Sequence, residues 1–378
     1  MTYFVVSVQI DEEKGIGSYE DYIRQVKPLV ELHGGKYLVR SEKIQYLGNV
    51  WKPDRLIIIC FPSRKELDAC FQSEAYQEIA DKRRAWVDAQ AVIIEEEIYG
   101  DLYHVHQIRI DFNVTEDVKR YVYVYLLTGS SCFLIDAGVA GASREIGNYM
   151  ESIGRRLEEI EGIFLTHSHP DHIGGALEIQ ELAHCMIYAG ARERDWMEDI
   201  DRQFAERPIP NFYKLVNASV KIDKILTEGE TIVLEEGMTL SAAEVPGHSR
   251  GSMAYCLDKG KVKVLFTGDS IPAKGDLPIF TDSGKSKETI QKIRRMQGID
   301  FYCPAWDRVY ASDEISAILD SAFHIIADIE KCSAAVFLEY ADRSMEEKMG
   351  QICKELRMEH LSRNPLFYRS VLGSLEHR

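Results

Sequence analysis

The chain has 378 residues, which suggests two domains or one large one with an appendage. Apolar residues make up 45% and charged residues 28%, which excludes intrinsic disorder and collagen-like repetition. Lys plus Arg number 45 and Asp plus Glu 61, so the formal charge is −16, and a chain this acidic repels phosphate backbones; no nucleic-acid partner is expected.

Residues 2–10 alternate, with Phe4, Val6, Val8 and Ile10 on one side, and predict a half-buried strand. The start of the chain has no basic n-region and does not read as a signal peptide. Apolar residues recur at helical spacing over Ser18–His33 (Tyr22, Ile23, Val26, Leu29, Val30), and Gly34-Gly35 closes that helix. Strands are predicted over Lys36–Ile44 and Arg55–Phe61, a helical pair over Ser63–Gln90, and a last strand over Ala91–Ile98. The order β-α-β-β-α-β is the split βαβ, ferredoxin-like layout. His33, at a helix end beside two glycines, reads as a cap or surface residue, with catalysis as the alternative.

Tyr22, the His33-Gly34-Gly35-Lys36-Tyr37-Leu38 turn, Trp51-Lys52-Pro53-Asp54-Arg55, Phe61-Pro62-Ser63 and Ser73-Glu74-Ala75-Tyr76 carry a resemblance. They resemble a small bacterial family of dimeric α+β barrels without assigned function, over about residues 2–97. The resemblance implies sheet-to-sheet homodimerisation through the N-terminal domain, residues 1–98. The segment Glu97–Asp101 is too short and apolar for a floppy tether and predicts a fixed relation between domains.

From Tyr103 the pattern changes. Tyr103, His104 and His106 open the second domain on an alternating strand. Strands Tyr121–Leu127 and Cys132–Ile135 flank a Thr128–Ser131 turn and end at Asp136-Ala137-Gly138. Ile146, Met150, Ile153, Leu157 and Ile160 recur at steps of four and three and predict a helix, followed by a strand at Gly162–Leu165.

That strand delivers Thr166-His167-Ser168-His169-Pro170-Asp171-His172-Ile173-Gly174-Gly175. In extended chain, residues two apart point the same way, so His167 and His169 can share one ion. Pro170 suits the first turn of a helix, from which Asp171 and His172 project back. Imidazole with carboxylate suits Zn²⁺, Fe or Mn²⁺. Further candidates follow strands: His248 in Val245-Pro246-Gly247-His248-Ser249 after Thr239–Glu244, and Asp269 in Phe266-Thr267-Gly268-Asp269-Ser270 after Val262–Leu265.

This constellation resembles the metallo-β-lactamase superfamily over about residues 100–310. The resemblance implies an αββα sandwich over residues 99–310, with metals at one edge between the sheets. It assigns His167, His169 and His248 to one metal, and Asp171, His172 and bridging Asp269 to the other. Asp136 takes a structural role. The family's further histidine is missing, and Phe301-Tyr302-Cys303-Pro304-Ala305-Trp306-Asp307-Arg308 stands in its place. Asp307 is expected to substitute as a ligand; the alternative has Trp306 facing the cavity as a wall, with a weak or absent second metal. The run Gly268–Ile279 followed by Pro304–Asp307 also resembles a branch of superfamily hydrolases whose substrates are mostly unassigned. His324 falls within a predicted helix, Ser312–Cys332, and reads as a helix residue.

The expected fold class is α+β: a ferredoxin-like domain, then the sandwich, then a helical extension over 311–378, with a second helix across Ser344–Leu361. Ser370–Gly373 reads as a chain end. The expected function is metal-dependent hydrolysis of a small thioester, ester or lactone. Two cations, zinc before iron or manganese, would lower the pKa of a bridging water toward about 7. Asp171 would orient that nucleophile and Asp269 would bridge the ions; both are the candidate catalytic residues. Asp136 and Thr166 would fix imidazole tautomers. Phosphodiester hydrolysis, iron redox chemistry and a non-catalytic metal-held scaffold are the competing classes. Lys274, Asp276, Trp306 and Arg250 are nominated for the substrate pocket. No run reaches the roughly 20 apolar residues of a membrane span. Eight scattered cysteines without a C-x-x-C pair fit a reducing cytoplasm.

Overall fold

The computed structural model describes residues 2–10, 17–48, 50–84, 87–95, 104–115, 118–260 and 262–375. It divides into two compact units, Met1–Asp101 and Leu102–Arg378. The segment Glu97–Asp101 and Tyr103 lie outside the described residues.

In the first unit, β1 (Thr2–Ile10), β2 (Lys36–Ser41), β3 (Arg55–Phe61) and β4 (Val87–Glu95) form an antiparallel sheet ordered β2-β3-β1-β4. A β-α-β-β-α-β chain lays down this order in the split βαβ layout. Helix Gly17–Leu32 connects β1 to β2, and helices Arg64–Gln72 and Glu74–Arg84 connect β3 to β4. The helical pair is shorter than its sequence suggests, and β4 begins at Val87 rather than Ala91. Ala89 and Ala91 favour helix by propensity, but they pair with Val8 and Val6 of β1, and that pairing prevails. One sheet face packs Val6, Val8, Ile57 and Ile59 on the helices through Tyr22, Val26 and Val30. The other face carries Tyr3, Val5 and Ile58 in register with Val92 and Ile94, which are 57% and 50% exposed.

The second unit contains two six-stranded sheets, one from each half of its chain. The first holds β5 (Val105–Asn113), β6 (Lys119–Thr128), β7 (Cys132–Ile135), β8 (Ile160–Phe164), β9 (Met186–Gly190) and β10 (Lys224–Leu226), in chain order. The second holds β11 (Thr231–Glu235), β12 (Met238–Glu244), β13 (Met253–Asp258), β14 (Lys263–Gly268), β15 (Phe301–Pro304) and β16 (Tyr310–Ala311), also in chain order. Period-two patterning builds the layers. Tyr125, Leu127, Phe133 and Ile135 face inward onto Leu240, Tyr255, Leu257 and Phe266 of the other sheet. Val122, Val124 and Leu126 face outward onto helix residues Ile146, Met150 and Ile179. On the far side, Ala254, Leu265 and Tyr302 pack on helices Ser283–Arg295, Ile315–Glu339, Met345–Leu356 and Pro365–Gly373. The result is four layers, αββα. No described helix is long and apolar enough to cross a membrane.

Other boundaries also differ from those the sequence suggests. The helix carrying Ile146 and Met150 ends at Ser152, Gly154 adopts φ 75°, and Ile160 opens β8 instead, paired with Cys132 of β7. The helix expected from Ser312 starts at Ile315 and runs to Glu339, because the Ser312 N–H bonds Asp300 O. The helix capped by Ser344 stops at Leu356, where Arg357 turns left-handed at φ 58°. Ser370–Gly373, read as a chain end, belongs to the helix Pro365–Gly373, capped by Asn364.

Candidate metal centre

The residues singled out in sequence lie where strands end. Asp136 follows β7, Thr166–His172 follow β8, His248 follows β12, Asp269 follows β14 and Trp306 follows β15. Loops past the carboxyl ends of neighbouring strands form the crevice where α/β sheets bind ligands. Two glycines permit the approach. Gly247 has φ 134°, and a Cβ there would lie 2.5 Å from Ser286 N. Gly268 has φ 51°, and a Cβ would lie 2.9 Å from Thr166 Oγ1. Cross-sheet bonds hold the histidine loop in place: Tyr255 donates to Leu165 O at 2.7 Å, and Met253 N donates to Thr166 O at 2.7 Å.

His167, His169, His248 and Asp269 each bring one ligand atom within 4.8 Å of the others, and the three histidines are buried. His167 Nε2 and His248 Nε2 both lie 2.9 Å from His169 Nδ1. His248 Nε2 is 3.2 Å from Asp269 Oδ2. The other oxygen, Asp269 Oδ1, is 3.2 Å from His172 Nε2, which is 3.7 Å from Asp171 Oδ2. Asp269 thus faces two donor groups, one with each oxygen.

The outer hydrogen bonds fix the tautomers. Thr166 Oγ1 donates to Asp136, whose two oxygens lie at 2.8 and 3.0 Å, so it accepts from His167 Nδ1 at 3.0 Å. His248 Nδ1 donates to Ile279 O at 2.9 Å, since a carbonyl only accepts. His172 Nδ1 donates to Asp136 Oδ2 at 2.8 Å. All three Nε2 lone pairs therefore turn inward. His172 Nε2 and Asp269 Oδ1 are buried and without a hydrogen-bond partner, lone pair against lone pair. A buried, convergent and unsatisfied set of this kind fits divalent cations.

Electrostatics agree. Burial holds His167 and His169 well below the usual imidazole range, and neighbouring imidazoles add to this. Burial pushes the Asp171 carboxyl up. His172 is opposed by burial, but Asp269, Asp136 and Asp171 outweigh it and raise the ring's affinity for positive charge well above the ordinary, a charge that a metal ion on Nε2 supplies in place of a proton. Three carboxylates around one buried imidazole leave negative charge to be balanced.

Asp307 does not join this cluster. Its Oδ2 accepts a short hydrogen bond from Tyr310 and its Oδ1 accepts from Arg308 N at 2.8 Å. Trp306 takes the place instead, with its Nε1–H donating to Asp269 Oδ2 at 2.9 Å. Trp306 and Asp276 line a cavity beside Asp269 and His248, with Ile271 and Leu277. Arg120 crosses it, paired to Asp276 at 2.7 and 2.8 Å and stacked 4.3 Å from the Trp306 ring. Arg250 is spent elsewhere, on Asp195 at 2.5 Å and over the Trp196 ring. Lys274 is exposed. His106 bonds Tyr149 and Thr128; His33 and His324 each bond the carbonyl four residues back in their helices.

Sequence reading missed Glu193. It is 1% exposed, and its carboxylate accepts from Ser168 N at 2.7 Å and Gly251 N at 2.9 Å, tying the two histidine loops together. It missed Arg120 and the buried Arg207 as well. No local motif marks these three; only long-range packing brings them to the site.

Residues 117–302 match the family model described as the metallo-beta-lactamase superfamily. The chain carries a metallo-beta-lactamase superfamily domain. Residues 1–97 match a domain of unknown function, DUF1330. The metallo-beta-lactamase part is similar to a hydroxyacylglutathione hydrolase of Hyphomonas neptunium, 25% identical over 60% of this chain and 76% of that one. It is also similar to a probable polyketide biosynthesis zinc-dependent hydrolase, BaeB, of Bacillus velezensis, 28% identical over 55% of this chain and 77% of that one. A metallo-beta-lactamase family protein of Thermus thermophilus, TTHA1429, shares the fold at TM-score 0.55 and 17% identity, over 73% of this chain and 93% of that one. The chain is a metal-dependent hydrolase of this superfamily. That decides against the redox and scaffold readings.

Proposed function

We propose that the chain hydrolyses a small thioester, with esters and lactones as related substrates, at a two-zinc centre. The inward convergence of His167, His169, His248, His172 and both Asp269 oxygens carries this reading. Two relatives named for hydroxyacylglutathione and zinc-dependent hydrolysis support the substrate class and the metal.

His167, His169, His248 and Asp269 Oδ2 would hold one ion. His172, Asp171 and Asp269 Oδ1 would hold the other, with positions left open as a catalytic site requires. Bound there, the ions supply the Lewis acidity that makes water nucleophilic near neutral pH. The protein does the rest. Asp171, whose Oδ2 lies 3.7 Å from His172 Nε2, orients the attacking water and takes its proton. Asp136 and Thr166 keep His172 and His167 in the tautomers that present Nε2. Trp306 holds Asp269 Oδ2 and walls the cavity.

The open face of the first unit, with exposed Val92 and Ile94 beside Val5 and Ile58, supports a homodimer formed face to face. The eight cysteines form no disulfide, which suits a reducing cytoplasm.

The test is release of free thiol from acyl thioesters by purified protein, before and after chelation and after zinc is restored. Turnover lost on chelation and recovered with zinc supports the reading. Thioesters left intact by the zinc-loaded chain contradict it.

A further inference from the structure

The cavity beside the metal centre has a buried end and an open one. His248 and Asp269 line it with side chains 4% and 8% exposed, Arg120 and Asp276 with side chains 28% and 32% exposed. Two loops also line it, 271–279 after β14 and 304–307 after β15. Arg120 touches both at the open end. Its guanidinium stacks 4.3 Å from the Trp306 ring, and its Nη1 and Nη2 donate to Asp276 Oδ1 and Oδ2 at 2.7 and 2.8 Å. A two-pronged pair of this kind holds one geometry, so the two loops are tied together across the open end.

The two sides of this tie are not equally held. Arg120 stands on β6, opposite Phe112 of β5, and Trp306 O accepts from the Tyr121 hydroxyl. Asp276 stands on a loop anchored near its ends. Ile271 is 6% exposed and packs in the core beneath the helices, and Pro278 O accepts from Ser370 Oγ at 2.9 Å. Between these anchors, Asp276 N donates to Ala273 O at 3.3 Å and Leu277 N to Asp276 Oδ1 at 2.7 Å, both within the loop. Among the described residues, the Arg120–Asp276 pair is the only hydrogen bond or ion pair that joins 272–277 to the rest of the unit. A part-exposed ion pair is a weak tie, and salt screens it. One breakable contact thus fastens this loop across the cavity.

We propose that the Arg120–Asp276 pair is a specificity-determining latch: closed, it limits the size of the group that enters the cavity, and a bulky substrate must open it. The substrate side of this rests on the hydrolase reading of the metal centre and deepens it; the latch itself rests on the contacts alone. A small neutral thioester enters with the pair intact. A larger one bears the cost of breaking it, so the pair discriminates by size without touching the reacting atoms.

The test has two readouts on the full chain. The first is amide hydrogen exchange over 272–277, which needs no substrate. Arg120→Gln breaks the tie and leaves the bonds inside the loop in place, so exchange there should quicken by about fivefold, the scale of one part-exposed ion pair. The second is kcat/KM of the zinc-loaded protein for three neutral thioesters: S-methyl thioacetate, S-benzyl thioacetate, which enlarges the thiol side, and S-methyl hexanethioate, which enlarges the acyl side. For one of the large substrates, the ratio to S-methyl thioacetate should rise by about fivefold in Arg120→Gln and in Asp276→Ala, and the double variant should add little more. Unchanged exchange over 272–277 in Arg120→Gln would overturn the latch. Faster exchange with both size ratios unchanged would overturn its role in specificity. If no thioester is cleaved, the hydrolase reading fails, and exchange alone decides the latch: faster in Arg120→Gln supports it, and equal rates overturn it.

Discussion

The Trp306 indole N–H donates to Asp269 Oδ2 at 2.9 Å, so the aromatic wall of the cavity is bonded to the carboxylate that faces both donor groups. Tyr121 completes the support, its hydroxyl donating to Trp306 O at 2.9 Å, and Arg120 stacks on the ring. Trp306→Phe keeps an aromatic wall and removes that bond. Activity should fall by about tenfold, the worth of one hydrogen bond to a charged group, and steady-state kinetics should place the loss in kcat. Trp306→Ala opens the cavity and should raise KM as well.

Asp136 serves three partners: Thr166 N at 2.7 Å, Thr166 Oγ1 and His172 Nδ1. It adopts φ 60°, a conformation that Asp tolerates better than most residues. Asp136→Ala leaves the Thr166 N–H buried and unpaired. The metal-free protein should lose about 2–3 kcal/mol in chemical denaturation, and zinc affinity should drop by roughly 10–100-fold.

Asp171→Asn keeps the shape of the side chain and removes its charge. Turnover should fall by about 100-fold or more if the carboxylate takes a proton during hydrolysis. A variant that turns over like the wild type would remove Asp171 from that role.

His106 tests the pH response away from the metal loops. Burial, aided by His104 and Arg155, holds it below its ordinary value. The unfolded chain therefore takes up this proton before the folded one. The stability His106 contributes is present above about pH 6.5, its unfolded value, and is lost as pH falls through the lower folded value. Between pH 7 and 5, the denaturation midpoint of His106→Gln should fall less than that of the wild type.

Val92→Glu places a charge on the open sheet face at an exposed position, with little cost to folding. Light scattering should show a dimer in the wild type and a monomer in the variant.

How much of this was legible in sequence depended on range. The histidine loop could be read because its donors are packed into six residues after a strand. His248 and Asp269 could be read because each follows its own strand beside glycine. Strands such as Arg55–Phe61 and Cys132–Ile135 have the predicted bounds because apolar runs and turns mark them locally. Asp307, expected as a ligand, has its carboxylate bonded to the Tyr310 hydroxyl three residues on, a contact that no local pattern announces. Ile160 kept helical spacing yet joined β8, since pairing with Cys132 outweighs periodicity. Glu193 carries no motif, and its role follows from contacts across the fold.

The most direct measurement is zinc per chain, by elemental mass spectrometry on wild type, His172→Ala and Asp307→Ala purified without chelators. About two equivalents in the wild type and in Asp307→Ala, and about one in His172→Ala, are expected from two donor groups that share Asp269. One equivalent in all three proteins, or a loss on replacing Asp307 but not His172, would contradict the two-cation centre.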